Sequence, residues 1–252
     1  MKRSYLESSF REPHPRCGFR CVELVAIAAF AVLETTLVTR LALDSAGHGV
    51  TLALAVTLAL VGIDFLSGLV HWAADTWGTP EWPLVGRTLI APFREHHEDP
   101  LAITRHDFVE TNGSSMLVAL PAMLLAAAVP LERLGEAARL GVATVTFLAA
   151  GAVLTNQAHK WSHTARRPSW VVALQRAGLL VSREHHAVHH RAPHTRAYCI
   201  TFGWLNPILD RVRFFPVLES WIQAMTGAVP RADDRAHRHE RRAARRALSA
   251  TR

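Results

Sequence analysis

Cysteine is scarce in this chain, which has three cysteines among its 252 residues: Cys17, Cys21 and Cys199. An odd number at this spacing suits neither a disulfide framework nor a zinc knuckle. The near-absence of thiolate ligands also argues against structural zinc and iron–sulfur clusters. We interpret all three as reduced thiols, and acylation of Cys17 and Cys21 at a membrane surface stays open as an alternative.

Charged residues are also sparse, at 19% of the chain, whereas 50% of the residues are hydrophobic and the mean hydropathy is positive. Most soluble domains are more polar, so the composition indicates a membrane protein with one sizeable domain. A bilayer core requires roughly 20 apolar residues per helix, and four segments approach this length. They run over 22–43, 50–72, 116–131 and 138–158, the third being short and containing Pro121. The first segment is too long for a cleaved signal peptide and lacks a clear cleavage site.

Basic residues are nearly missing from one side of the predicted membrane. Of the 28 Lys/Arg, three fall in the connections after the first and third segments, namely Arg40, Arg133 and Arg139, which leaves 25 for the other side. The positive-inside rule therefore puts both termini and the central loop in the cytosol. The same bias explains the net charge of +7. The Arg-rich tail suits an anionic membrane surface better than a nucleic acid, and we expect no nucleic-acid partner.

Histidine, by contrast, is abundant and clusters on the predicted cytosolic side. The stretches "REHHED", "HKWSH" and "REHHAVHH" begin at positions 94, 159 and 183, and His71 lies near the end of the second apolar segment. A single histidine is most often a solvated side chain, but three clusters on one membrane face make an accidental arrangement a poor explanation. We therefore expect these histidines to meet in space.

The last of these stretches has the spacing of a metal-binding helix. On a helix over 183–190, His186 and His190 share one face, and His185 and His189 share another about 100° away. One helical turn can thus address two ions, or one ion and its outer shell.

Imidazole ligands suit zinc, copper, iron and nickel alike. His159 and His163 are spaced i, i+4 and can bind one ion together. A zinc site needs three or four ligands, so roughly ten cytosolic histidines are enough for two ions. No Glu-x-x-His pair stands out, and the soluble carboxylate di-iron pattern therefore does not apply. Two histidine-ligated irons at a membrane surface would suit dioxygen activation beside a lipid chain.

The second apolar segment also carries a polar stripe, because Asp64, Ser67, His71 and Asp75 follow helical spacing. Ionisable groups are costly in lipid, so this stripe predicts a functional site that faces the bundle interior. The tryptophans near the predicted interfaces are interpreted as interfacial anchors. They are Trp72, Trp77, Trp82, Trp161 and Trp170.

Several long motifs resemble the Kua/CarF family, the plasmanylethanolamine desaturases, which are lipid desaturases. The resemblance covers about 61–234 of the chain. The motifs are "DFLSGLVHWAADTWG" (64–78), "PFREHHEDPLAITRHDFVETNG" (92–113), "TNQAHKWSHT" (155–164), "REHHAVHH" (183–190), "CITFGWLNP" (199–207) and "TGAVPRADD" (226–234).

The resemblance implies an all-α, multi-pass membrane protein with about four transmembrane helices and a cytosolic, histidine-rich helical cap. Outside the resemblance we expect a basic cytosolic segment over 1–20 and an Arg-rich, disordered tail over 235–252, with a membrane-embedded lipid desaturase domain over 21–234 between them. The resemblance assigns a catalytic role to Asp75, the acidic residue of "HWxxDTWG". The implied metal ligands are His71, His96, His97, His106, His159, His163, His185, His186, His189 and His190.

The activity implied by the resemblance is oxidation of a 1-O-alkyl ether phospholipid to its 1-O-alk-1'-enyl form, a plasmalogen. The implied cofactors are non-haem di-iron and O2. No haem, flavin or ferredoxin motif stands out, so two electrons must come from an external cytochrome b5-like or ferredoxin donor. The expected location is the bacterial cytoplasmic membrane, or the endoplasmic reticulum in a eukaryote, with the histidines in the cytosol.

Three other functions stay open. A lipid hydroxylase would use the same iron site, and the ligand spacing does not separate it from a desaturase. A zinc-dependent membrane hydrolase would differ in metal content. A non-enzymatic sensor or adaptor, for example in a light or singlet-oxygen response, would use the histidines only to sense metal.

Overall fold

The chain is all-helical wherever the computed structural model describes it, which is over residues 16–83, 85–191 and 193–231. No strand occurs in these ranges, which confirms the predicted fold class. The helices are α1 (Arg16–Leu43), α2 (Gly49–Thr76), α3 (Ala91–Glu98), α4 (Ala102–Arg105), α5 (Phe108–Ala128), α6 (Leu131–His163), α7 (Ser169–Arg176), α8 (Arg183–His189), α9 (Asn206–Arg211) and α10 (Phe214–Thr226), with a π-helical turn over Gly86–Ile90. The predicted tail over 235–252 and most of the predicted segment 1–20 lie outside the described residues.

Four helices are long and apolar enough to cross a membrane, as predicted from the apolar segments. The candidate spans are Phe19–Leu43, Gly49–Thr76, Phe108–Ala128 and Gly135–His163. At 1.5 Å per residue, each of the four is about as long as a bilayer core of about 30 Å, or longer. Gly135 has a positive φ and marks a break near the start of α6.

Helix α5 begins earlier than its apolar pattern predicts, at Phe108 instead of 116. The cause is a capping box, in which Asp107 Oδ1 accepts the Glu110 backbone N–H at 2.9 Å and Glu110 Oε2 accepts the Asp107 N–H at 3.2 Å. Such a cap satisfies the first backbone donors and lets a polar turn start the helix. Pro121 lies inside the helix, as membrane helices tolerate.

The long helices pack in an order that brings α1 against α5, and α2 and α5 against α6. Their apolar halves form one core that includes Leu37, Met123 and Ala143. Polar contacts close the bundle at the end away from the histidines, where Arg40 donates to the carbonyls of Ala127 and Val129 that end α5. The apolar parts of the four helices therefore lie at the same level of the bundle, and so do their polar parts.

A cap of short helices follows α6 and covers the polar end of the bundle. Trp72 of α2 packs there against Phe215 and lies in one buried cluster with Tyr198. The interpretation of Trp72 as an interfacial anchor is wrong, since its side chain is 3% exposed. Trp82 and Trp170 are exposed, as an interfacial role requires.

Candidate metal centre

The polar stripe of α2 faces the interior of the bundle, as predicted, but it divides into two parts. Asp64 and Ser67 are buried and bind backbone N–H groups of the cap. His71 and Asp75, one and two turns further along, face other histidines instead. Asp64 and Ser67 therefore hold the cap in place, whereas His71 and Asp75 supply ligand atoms.

His71 and Asp75 belong to one of two donor clusters, which is called here the second cluster. It consists of His71, Asp75, His97 and His189. Asp75 Oδ2 lies 3.4 Å from Nε2 of His71, 3.1 Å from Nε2 of His97 and 3.3 Å from Nε2 of His189. All four ligand atoms lie within 4.8 Å of one another. Three helices, α2, α3 and α8, thus aim one set of donors at one point.

The other donor cluster, called here the first cluster, lies beside it. It consists of five histidines: His96, His159, His163, His186 and His190. Nε2 of His186 lies 3.1 Å from Nε2 of His159, 2.9 Å from that of His163 and 3.0 Å from that of His190. Two facing imidazole nitrogens can share one proton, but four nitrogens that converge have no such pairing scheme. Convergence of lone pairs on one point is the arrangement of a metal site.

The two clusters adjoin each other. The ring of His71 in the second cluster lies 5.6 Å, centroid to centroid, from the rings of both His96 and His159 in the first. His96 and His97 are sequence neighbours, with ring centroids 4.6 Å apart, and belong to different clusters. Helix α8 likewise sends His189 to the second cluster and His186 to the first. The geometry can therefore hold two ions side by side.

Backbone carbonyls fix the orientation of several rings. His71 Nδ1 donates to the Tyr198 carbonyl at 3.2 Å, and His189 Nδ1 donates to the Arg196 carbonyl at 2.9 Å. A ring whose Nδ1 carries the proton keeps the Nε2 lone pair for a metal. The tautomer that these carbonyls select is therefore the one a ligand needs.

The histidines of the first cluster are kept neutral by their surroundings. Burial lowers the pKa of His96 well below its ordinary value, and the neighbouring His159 lowers this pKa further. The same two causes, in the same order, lower the pKa of His186. The pKa of His190 is also lowered, by burial first and by His189 next. Metal binding requires neutral imidazole, so these rings are in the protonation state of ligands.

These donor sets fit a metal. The Nε2 atoms of His71 and His96 are buried and make no hydrogen bond to any described residue. An unsatisfied buried polar atom costs about 1–3 kcal/mol, a cost that a bound ion would remove. Imidazole with one carboxylate suits iron, among other transition metals, and the set is compatible with an iron-dependent enzyme.

Two predicted ligands are not brought to either cluster. His185 Nε2 accepts a hydrogen bond from Nδ2 of Asn206 at 2.9 Å, so its lone pair is already used. His106 lies half-buried in the loop before α5, where its carbonyl accepts a hydrogen bond from Lys160. The ligand roles of His106 and His185 stay predictions. The other eight predicted histidines and Asp75 all lie in the two clusters.

The contacts that orient the ligands are the part that sequence reasoning missed. The carbonyls of Arg196 and Tyr198 belong to the backbone, and no side-chain motif reports them. His194 lies beside the second cluster, with its ring centroid 4.9 Å from that of His97, and its Nδ1 donates to the His189 carbonyl. Its sequence signals are its closeness to the last histidine stretch and its likeness to a family histidine.

Comparison with known proteins agrees with this geometry. The lipid desaturase domain family matches residues 60–233. The plasmanylethanolamine desaturase of Myxococcus xanthus is 46% identical over 221 residues, which cover 86% of this chain and 76% of that protein. Plasmanylethanolamine desaturase 1 of Mus musculus is 45% identical over 216 residues, 82% of this chain and 78% of that protein.

A plant relative is more distant. The chloroplastic fatty acid desaturase 4 of Arabidopsis thaliana is 38% identical over 171 residues, which cover 67% of this chain and 51% of that protein. No solved structure matches the chain.

Proposed function

The chain belongs to the lipid desaturase family, and from that premise we propose that it is a plasmanylethanolamine desaturase. It removes one hydrogen from C1' and one from C2' of a 1-O-alkyl ether phospholipid and leaves a 1'-vinyl ether. Each turnover takes up one O2, two electrons and two protons, and releases two waters. The relatives from Myxococcus xanthus and mouse, which carry this activity in their names, support the choice of substrate.

The observation that carries the proposal is the pair of adjoining donor clusters at the polar end of a membrane-type bundle. The five histidines of the first cluster would hold one iron, and the three histidines with Asp75 would hold the other. The two irons supply the activation of dioxygen when they are bound. The chain itself fixes the ligand rings, keeps them neutral and excludes water by burial.

The position of the clusters along the helices suits the reacting carbons. C1' and C2' are the first two carbons after the ether oxygen, so in a bilayer they lie at the boundary between headgroup and hydrocarbon. His71 lies five residues before the end of α2, and His163 is the last residue of α6. The ligands thus sit where two spans reach the membrane surface, and the alkyl chain need not be drawn deep into the protein.

The clusters and both termini face the cytosol in this proposal, and the membrane is the bacterial cytoplasmic membrane, or the endoplasmic reticulum in a eukaryote. The charge asymmetry of the connections supports this orientation, because 25 of the 28 Lys/Arg lie on the histidine side. The two electrons come from an external donor of the cytochrome b5 or ferredoxin type on that side.

Lipid analysis tests the proposal. Cells that contain 1-O-alkyl ether phospholipid but no plasmalogen should accumulate acid-labile vinyl ethers when they express this chain, and should not when they express a His159→Ala variant at equal level. Mass spectrometry distinguishes the products. A chain hydroxylated at C1' or C2' instead of a vinyl ether would favour the hydroxylase, and unchanged lipids from an iron-loaded protein would contradict both.

A further inference from the structure

Residues 196–206, called here the strap, connect the α8 region to α9 and lie against the inner face of α2. The approach is close at Gly68, where an added Cβ would lie 2.7 Å from Sγ and 3.2 Å from the backbone N of Cys199. Ala197 has a φ of 55°, a left-handed conformation that a non-glycine residue rarely adopts. A strap with this strain needs contacts outside itself to keep its shape.

Asp64 supplies the main contact. The residue is completely buried, and its carboxylate accepts three backbone hydrogen bonds from the strap. Oδ1 accepts the N–H groups of Phe202 and Gly203, both at 2.9 Å, and Oδ2 accepts the N–H of Leu205 at 3.0 Å. Hydrogen bonds to a charged acceptor are the strong ones.

Other side chains also hold the strap between Asp64 and its far end, among them Ser67 and Asn206. Ser67 Oγ, one turn along α2, accepts the N–H of Ile200 at 3.0 Å. Asn206 Oδ1 accepts the N–H of Cys199 at 2.8 Å, and its Nδ2 donates to the Cys199 carbonyl at 2.9 Å. Asp64 and Ser67 thereby fix residues 200–205 of the strap relative to α2, and Asn206 braces the strap internally.

The far end of the strap orients the second cluster. Its carbonyls at Arg196 and Tyr198 accept the Nδ1 protons of His189 and His71. The first cluster has a different support, since Nδ1 of His96 faces the Pro92 carbonyl of its own helix at 3.4 Å. A displacement of the strap would therefore release two rings of the second cluster.

We propose that Asp64 is a positioning residue for the second metal of the pair: through the strap, its carboxylate holds the two carbonyls that fix the tautomer of His71 and His189. The inference rests on the proposed function in so far as both need a metal at each cluster. It assigns Asp64 a selective role, at one of two adjoining sites, that a general part in folding would not have.

Cobalt titration of the full-length, metal-free protein in detergent micelles tests this. The wild-type chain should bind two Co²⁺ ions, each with its own absorbance change, and His71→Ala and His163→Ala proteins identify which change belongs to which cluster. Asp64→Asn keeps the size of the side chain, but its amide nitrogen cannot accept an N–H. We expect it to weaken Co²⁺ binding at the second cluster by about 10–100-fold, the usual effect of losing an outer-shell contact, and to leave the first unchanged.

A Thr146→Val protein is the matched control. Thr146 is also completely buried in a long helix, but its hydroxyl donates only within α6, to the Val142 carbonyl, so both ions should bind as in the wild type. Equal weakening at both clusters in Asp64→Asn, or no weakening, overturns the inference. If that variant does not fold, Ser67→Ala decides, since it releases one strap contact and should weaken the second cluster alone, and unchanged binding overturns the inference.

The same titration separates this inference from the proposed function. A wild-type chain that binds fewer than two ions contradicts the metal pair itself. A wild-type chain that binds two ions, together with an Asp64→Asn protein that binds them equally well, contradicts the role of Asp64 alone.

Discussion

Asp75 is the one carboxylate in the two donor clusters, and its position decides between two roles that sequence spacing leaves open. A carboxylate one turn beyond His71 can accept the ring proton that the metal does not need, or it can bind the metal itself. The ring proton of His71 goes to the Tyr198 carbonyl, and Asp75 Oδ2 faces the Nε2 atoms of His71, His97 and His189. The geometry therefore favours Asp75 as a ligand.

Asp75→Asn should lower vinyl-ether formation by about 10–100-fold or more, because it removes the only negative charge from the second cluster. Expression and membrane insertion should not change, since the side chain keeps its size. Vinyl-ether yield per amount of protein is the measurement. Asp99→Asn is the control, because Asp99 forms an exposed ion pair with Arg105 that contributes little. Equal yields from the wild-type and Asp75→Asn proteins would make Asp75 a bystander.

His163 and His106 provide a paired test of the ligand set. His163→Ala should lower the iron content and abolish turnover with the helices still inserted, because its Nε2 belongs to the first cluster. His106→Ala should keep both ions if its place outside the clusters reflects its role. The measurement is iron per chain in the purified proteins, together with circular dichroism. If the His106→Ala protein loses iron, His106 is a ligand after all. If the His163→Ala protein keeps its full iron content, His163 is not a ligand.

At the scale of helices, α8 is the element whose geometry its sequence predicts best. Ser182 caps it by accepting the His185 N–H at 3.1 Å, and the helix then runs to His189. The helix points His186 to one cluster and His189 to the other. Helical spacing fixes these directions, because His186 and His190, four residues apart, lie on one face, whereas the adjacent His189 points about 100° away from His190.

The contact of α1 with α5 depends on a close approach that no periodicity reveals. A Cβ on Gly113 would lie 2.6 Å from Cβ and 2.8 Å from Cγ of Glu23, and these atoms are too near the α1 backbone to move freely. Gly113→Ala should therefore push the two helices apart and destabilise the protein by about 1–3 kcal/mol.

Gly141→Ala is the matched control for this prediction. It is also a helical glycine in a span, but nothing lies within 4 Å of an added Cβ. Alanine should there be neutral or stabilising, by up to about 1 kcal/mol. Thermal unfolding of the purified proteins in detergent compares the two. A Gly113→Ala protein as stable as Gly141→Ala would show that the α1–α5 contact adapts to the methyl group.

At the scale of the whole molecule, the chain places both donor clusters at one end of the bundle. Arg139 with Asp44, and His48 with Glu136, tie the connections at the far end. The donor clusters and the cap lie at the opposite end. This polarity is what a membrane enzyme needs if its substrate is a lipid and its electrons come from one compartment.

Cysteine labelling checks the orientation of this arrangement. In a background with Cys17 and Cys21 changed to serine, a cysteine at the exposed positions 46 and 187 should react with a membrane-impermeant reagent from opposite sides. Position 187 should be labelled from the cytosol, because the basic connections lie on that side. Labelling of both positions from the same side would contradict the four-span topology, and labelling of 187 from outside would contradict its orientation.

The amino-acid sequence by itself determined the membrane class and the four candidate spans, and it included every histidine of the two clusters among its predicted ligands. These features depend on local pattern: apolar length, basic residues at segment ends and helical spacing. Even the boundary that it misplaced, the start of α5, has a local cause in the capping box of Asp107 and Glu110.

Only the tertiary structure decided which histidine belongs to which cluster, because that depends on how α2, α3, α6 and α8 meet. His96 and His97 are adjacent in sequence and lie in different clusters, whereas His96 and His190 are far apart and share one. His185 matches its neighbours in sequence but is bound by Asn206. Asp64 and Asp75 belong to one stripe, yet one accepts backbone N–H groups and the other faces imidazoles. Spacing fixes the direction of a side chain, but its partner comes from another part of the chain.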